Sequence, residues 1–179
     1  MGLSTVAWAE DNAALSQKHE KLIQAFPTVE HITAEALQGL ETGSVMIFDV
    51  REVDEYEVSH IRQAIHVSPK ISAENFLDQY RDAANGKTFI FYCSVGHRSS
   101  ILAEKVQDKL IASGSGPIYN LEGGLFNWHN QNRPLVTEQA ESTDYIHPYN
   151  FYWGRMVNQK DKRRYKSVTK PAAGTKKAD

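Results

Sequence analysis

Between about residue 31 and residue 136, short apolar and β-branched runs alternate with helix-compatible runs, and no other feature restricts the fold so strongly. Val45–Val50, Ala64–Val67, Phe89–Cys93 and Pro117–Leu121 are strand-sized. Between them lie Glu52–Ser59, a segment N-capped by Ser72 with Phe76, Leu77 and Tyr80 on one face, and Ser99–Ala112. In the last, Ile101, Leu102, Val106 and Leu110 are spaced to pack. Strands without clean polar alternation, separated by helices, fit a parallel sheet covered on both faces. The expected class is α/β: a doubly wound, mainly parallel sheet flanked by helices.

The flanks read differently. Residues 12–25 form an amphipathic helix with Leu15, Leu22 and Ile23 on one face, stopped at Pro27. A short helix around Trp128, a core residue, follows the turn Gly123-Gly124, which lacks the Lys-Ser/Thr of a phosphate loop. After Val136 the periodicity stops, and Tyr145, His147, Tyr149, Phe151, Tyr152 and Trp153 crowd one segment. These aromatics are expected to pack back on the domain or a second copy; a stacking platform for RNA bases is the alternative. The expected organisation is a helical extension over 1–29, a central domain over 30–137, an aromatic-rich extension over 138–165 and a disordered basic tail over 166–179.

Charge follows the same division. Residues 155–179 hold 9 basic and 2 acidic side chains, a net +7, against 11 basic and 20 acidic before them, a net −9. A basic tail suits a tRNA or protein partner through its anionic groups, and equally serves solubility. No run approaches the ~20 apolar residues of a membrane span, so no membrane association is expected. The N-terminus shows neither a basic n-region nor a continuous apolar core, which makes the cytoplasm the expected location.

The chain has 1 cysteine, Cys93, so an internal disulfide is impossible and cysteine-rich zinc sites are excluded. Its setting suggests chemistry. The strand ending at Tyr92 runs into Cys93-Ser94-Val95-Gly96-His97-Arg98-Ser99 and then a helix, beyond the carboxyl end of a sheet strand where doubly wound folds bind ligands. A strand–loop–helix turn aims backbone N–H groups inward, and the helix start adds partial positive charge. Such a cradle favours a nucleophilic thiolate. Gly96 permits the tight loop, and Arg98 adds a fixed cation. His97 stands within the loop, either as a cation toward an anionic donor or as a solvated side chain. Asp49, Arg51 and Glu55 are expected to form a supporting ion-pair network at the strand end, and His60 to fix a turn.

Together these residues resemble the rhodanese (sulfurtransferase) family over roughly residues 30–137. The resemblance rests on Phe48-Asp49-Val50-Arg51-Glu52, Glu55-Tyr56, Ser59-His60-Ile61 with Ala64, the run Cys93 to Ser99, and Leu121-Glu122-Gly123-Gly124 through Trp128 to Pro134. It implies an α/β, doubly wound, mainly parallel five-stranded sheet flanked by helices, and that Cys93 takes sulfane sulfur from a small anionic donor such as thiosulfate. A persulfide would hold it before transfer to a thiol or cyanide acceptor, with no metal or organic cofactor. The amides of Ser94, Val95, Gly96, His97, Arg98 and Ser99 would form the anion-binding loop, Asp49 and Arg51 its support. A sulfur carrier or interaction module, serving tRNA or cofactor thiolation, is the alternative. The Cys-x4-Arg spacing is one residue shorter than that of related phosphatases and arsenate reductases, which disfavours them. Two glycines of the family's Gly-His-Ile-x-Gly-Ala are Ser59 and Gln63 here, and Asn132 replaces the glycine near the closing proline.

Overall fold

A computed structural model describes residues 13–41 and 43–167. Five parallel strands, β1 (Glu30–Ile32), β2 (Val45–Asp49), β3 (Ile65–His66), β4 (Thr88–Tyr92) and β5 (Ile118–Leu121), form one sheet in the order β1-β5-β4-β2-β3. Among the described residues seven α-helices accompany them: α1 (Ala13–Ala25), α2 (Ala34–Gln38), α3 (Val53–Val58), α4 (Ala73–Tyr80), α5 (His97–Ala112), α6 (Gly124–Asn130) and α7 (Phe151–Gly154). A small antiparallel ladder, β6 (Leu135–Val136) with β7 (Ser142–Thr143), closes the central unit.

The period of two along a strand sorts the core. In β4, Phe89 and Phe91 face a cluster with Phe76, Leu77, Leu102, Val106 and Leu110 from α4 and α5. Ile90 and Tyr92 face the other side, where Leu15, Leu37, Leu125, Phe126 and Trp128 gather with Ile146 and Val157 of the C-terminal extension. Both faces are therefore apolar, which explains the unbroken run at 89–93. Ser72 caps α4 as its sequence position predicts, its Oγ accepting from the Asn75 N–H at 3.1 Å.

Several expectations shift. The helix predicted from Ser99 begins at His97, so His97, Arg98 and Ser99 occupy its first turn. Ile23, placed on the buried face of α1, is exposed, and His19 is buried instead. The edge strand β1 has no apolar run to announce it: only Ile32 of its three residues is buried. Gln63 and Asn132 hold positive φ, 66° and 54°, so those turns keep the left-handed conformation without glycine. Ser59 is extended, so nothing at that position requires glycine. Residues 168–179, most of the predicted tail, lie outside the described residues. No described helix is long and apolar enough to cross a membrane.

Candidate active site

The chain leaves β2 toward β3 on one side of the sheet and leaves β4 toward β5 on the other. The carboxyl ends of the adjacent strands β2 and β4 thus flank the topological switch point, where doubly wound folds leave a crevice. Asp49 and Arg51 follow β2, and Cys93 follows β4.

The first pair is structural in geometry. Arg51 and Asp49 are fully buried, with Nε to Oδ1 at 2.8 Å and Nη2 to Oδ2 at 2.6 Å. Arg51 also donates to the Ser59 carbonyl at 2.7 Å, and the Tyr92 hydroxyl donates to Asp49 Oδ2 at 2.7 Å. This network ties the end of β2 to the end of β4 and to the turn at Ser59–Ile61. His60 joins that turn through Nδ1, 3.1 Å from the Tyr56 carbonyl, with its ring stacked on Tyr56.

Glu55 departs from the expected network. Its carboxylate turns away from Asp49 and Arg51 to the cysteine loop. Arg98 Nη1 donates to Oε2 at 2.7 Å and Nη2 to Oε1 at 3.0 Å, while the Ser94 hydroxyl donates to Oε1 at 2.6 Å. Helix α3 positions Glu55, whose Oε2 also accepts from the Glu52 N–H at 3.1 Å. Burial opposes its ionisation, but Arg98, Arg51 and the Ser94 hydroxyl hold its carboxyl below the usual range.

Cys93 is 1% exposed, and the Gly96 N–H donates to its Sγ at 3.2 Å. Burial disfavours the thiolate, yet the charge of Arg98, the Ser99 amide and hydroxyl, and the Val95 amide outweigh it. The thiol sits below its ordinary value. For His97 the direction is also downward, through burial first and then the charges of Lys18 and Arg98. Both causes disfavour the charged form of that ring, which counts against the cationic of the two readings of His97.

The loop is held from behind. Leu125 and Phe126, in the first turn of α6, donate to the carbonyls of Cys93 and Ser94 at 2.8 and 3.0 Å. Turning those carbonyls toward α6 leaves the loop amides to face the sulfur. The close approach depends on Gly124, whose φ is +60° and where a Cβ would lie 2.4 Å from the Cys93 carbonyl oxygen. The pair Gly123-Gly124, predicted as a simple turn, is the mount of the loop. Asn120 completes it by donating to the Gly96 carbonyl at 3.0 Å.

Cys93, Ser94, Val95, His97 and Arg98 line a cavity of about 140 Å³ together with Tyr149 and Trp153. The last two come from the aromatic segment. Tyr149 lies over the Arg98 guanidinium, 4.9 Å from its ring centroid. The expectation that the aromatics pack inward is only partly met: Ile146 and His147 are buried and Trp153 half-buried, but Tyr149, Phe151 and Tyr152 are 43%, 81% and 60% exposed. A sequence signal for Tyr149 and Trp153 at the cysteine was lacking, since nothing local ties residue 149 to residue 98.

A doubly wound sheet that sets a single cysteine in a strand–loop–helix cradle, among amides and beside an arginine, defines the class of fold and site. A family model described as "Rhodanese-like domain" matches residues 33–131, and the chain belongs to the rhodanese-like family. It is 30% identical over 104 residues to the thiosulfate sulfurtransferase GlpE of Coxiella burnetii, covering 58% of this chain and 87% of that protein. It is 33% identical over 98 residues to the tRNA uridine(34) hydroxylase of Aster yellows witches'-broom phytoplasma, 52% of this chain but only 30% of that protein. A solved thiosulfate sulfurtransferase from Pseudomonas aeruginosa shares the fold, with a TM-score of 0.53 and 22% identity over 82% of this chain and 27% of its own.

Proposed function

We propose that this protein is a sulfurtransferase that carries sulfane sulfur on Cys93. The observation that carries the reading is the buried Cys93 thiol, held below its ordinary value by Arg98 and the loop amides while lining a cavity open to small ions. In the first step the thiolate attacks the outer sulfur of a donor such as thiosulfate. An S–S bond forms to Cys93, the donor's S–S bond breaks, and sulfite leaves with the electron pair. In the second step a thiol or cyanide attacks the terminal sulfur, takes it as a persulfide or thiocyanate, and returns the thiolate. Neither step needs an added oxidant or reductant. The loop amides and Arg98 would stabilise the anionic persulfide. A free thiol of this kind suits a reducing compartment such as the cytoplasm.

Similarity to the C. burnetii sulfurtransferase over most of that protein supports this reading. A tRNA or protein partner rests on the charge of the tail alone. Intact mass spectrometry after incubation with thiosulfate tests the chemistry. The expected result is an adduct of about 32 Da, one sulfur atom on the thiolate, that cyanide removes and that Cys93→Ser lacks. No adduct on the wild-type protein would overturn the proposal.

A further inference from the structure

Both flanks outside the family-matching residues 33–131 converge on the cysteine loop. Leu22 of α1 and Phe26 just after it meet Gly96 and His97: a Cβ at Gly96 would lie 3.3 Å from Leu22 Cδ1, and the Phe26 and His97 ring centroids are 5.9 Å apart. From the C-terminal extension, Tyr149 and Trp153 line the Cys93 cavity. Lys18 of α1 lies 5.5 Å from the Trp153 ring centroid, which joins the two flanks beside the cavity.

The turn that presents Tyr149 is built with care. Tyr149 has a φ of +63°, a conformation that L side chains with bulky rings disfavour. It is held there because its N–H donates to Nδ1 of the buried His147 at 3.0 Å. Asn150 caps the following helix, its Oδ1 accepting from the Trp153 N–H at 3.0 Å. Gly154 packs against Pro148, where a Cβ would approach to 2.8 Å. A tyrosine held at positive φ over the Arg98 guanidinium points to a role in the site.

We infer that Tyr149 and Trp153 form a size gate that restricts Cys93 to small anionic donors and compact acceptors. A cavity of about 140 Å³ falls well below the ~300 Å³ at which drug-sized ligands begin. Its lining offers the Cys93 thiol, the Ser94 hydroxyl, the Arg98 guanidinium and the rings of His97, Tyr149 and Trp153. That suits an inorganic sulfane anion of thiosulfate size and leaves no room for a donor bearing an aryl group. Tyr149 and Trp153 are specificity-determining residues of the site. The donor class rests on the sulfur-transfer reading, but the gate can be read from the thiol itself.

Cys93 is the chain's single thiol, so alkylation reports on it alone. Its rates with iodoacetate, iodoacetamide and N-(1-pyrenyl)maleimide would be measured by intact mass for wild type, Tyr149→Gly and Tyr149→Asn. Glycine and asparagine both accept the positive φ, so thermal melts of these variants should match or exceed wild type. The expected result is a pyrenylmaleimide rate at least about tenfold higher in both variants, the lower end of steric discrimination in pockets. The iodoacetate to iodoacetamide ratio should stay constant, because Glu55 and not Tyr149 anchors Arg98. Parallel changes in all three rates, or a wild-type protein whose pyrenylmaleimide rate relative to that of free glutathione matches its iodoacetamide rate on the same scale, would overturn the gate. Sulfur loading from thiosulfate and from an aryl thiosulfonate, in parallel, tests the donor class. Equal wild-type loading from both refutes that class. Loading from neither sinks the sulfur-transfer reading and the donor class with it, while the alkylation ratios still decide the gate.

Discussion

Gly124→Ala is the sharpest single perturbation of the site that leaves every functional side chain in place. A Cβ at 124 would lie 2.4 Å from the Cys93 carbonyl oxygen, 2.8 Å from the Val95 nitrogen and 2.9 Å from the Gly96 nitrogen. All three are backbone atoms, so no rotamer change relieves the contact. Either α6 or the loop must move, and the hydrogen bonds from Leu125 and Phe126 to the loop carbonyls stretch or break. The left-handed backbone alone costs a non-glycine residue about 1–2 kcal/mol. Two weakened hydrogen bonds add about 0.5–1.5 kcal/mol each, so the total loss is roughly 2–5 kcal/mol. Gly86→Ala is the matched control, with a φ of +68° and nothing within 4 Å of the added Cβ, and it should show the conformational cost only. Thermal melts measure the difference. The pH midpoint of Cys93 alkylation measures the consequence, because displaced amides of Val95 and Ser99 no longer favour the thiolate. The midpoint should rise in Gly124→Ala and stay put in Gly86→Ala. A folded Gly124→Ala protein with the wild-type midpoint would refute the idea that α6 sets the loop.

Arg98→Ala should raise the alkylation midpoint toward the ~8.5 of a free thiol, whereas Glu55→Gln, which removes an opposing charge, should not raise it; a midpoint unmoved by Arg98→Ala would mean the amides suffice. Stability should fall as the pH drops below about 6.5, because burial and the neighbouring His31 lower His19 to about 4, and burial lowers His31 as well. In that window the unfolded chain binds protons that the folded one refuses, so stability rises with pH. Glu55, whose carboxyl is lowered, contributes stability that is present above its unfolded value and lost only in stronger acid as pH falls through the folded one. A melting temperature that is flat from about pH 7 to pH 4 would contradict the two histidine assignments. Ile146→Ala should cost about 2–5 kcal/mol, since Ile146 is fully buried, while Phe151→Ala should stay within about 0.5 kcal/mol. Equal melts for the two variants would show that the extension does not pack as described.

The strands most legible in the sequence were those buried on both faces. β2 and β4 are apolar at nearly every position because each side of the sheet carries helices, and a run such as Phe89–Cys93 admits few other readings. β1 was invisible for the opposite reason: a three-residue edge strand with one buried side chain leaves no period to detect. At the site, everything encoded within one loop could be read: Cys93, the amides after it and Arg98. What could not be read depends on pairing across the chain. Glu55 meets Arg98 across 43 positions, and its carboxylate fitted the Asp49–Arg51 network equally well until the fold fixed the direction of α3. Tyr149 and Trp153 looked like core aromatics because ring content says nothing about exposure. Gly124 looked like a turn because a close backbone approach has no signature in the residue that accommodates it, only in its partner.

The charges around Cys93 divide two tasks that a single arginine could not perform alone. Arg98 is held bidentately by Glu55 at 2.7 and 3.0 Å, so with Cys93 ionised the three groups sum to one negative charge. Such a cluster keeps the thiolate, because the guanidinium also acts directly on the sulfur, but it offers a dianion no net attraction. Attraction must come from elsewhere. The start of α5, a helix of 16 residues, directs its free amides and the positive end of its dipole at the sulfur. Lys18, reaching over from α1, is close enough to depress His97. Neither depends on Glu55. On the sulfur-transfer reading, the fixed ion pair would set the state of the Cys93 thiol, while the helix start and a lysine outside the family-matching residues would draw an anionic donor to it.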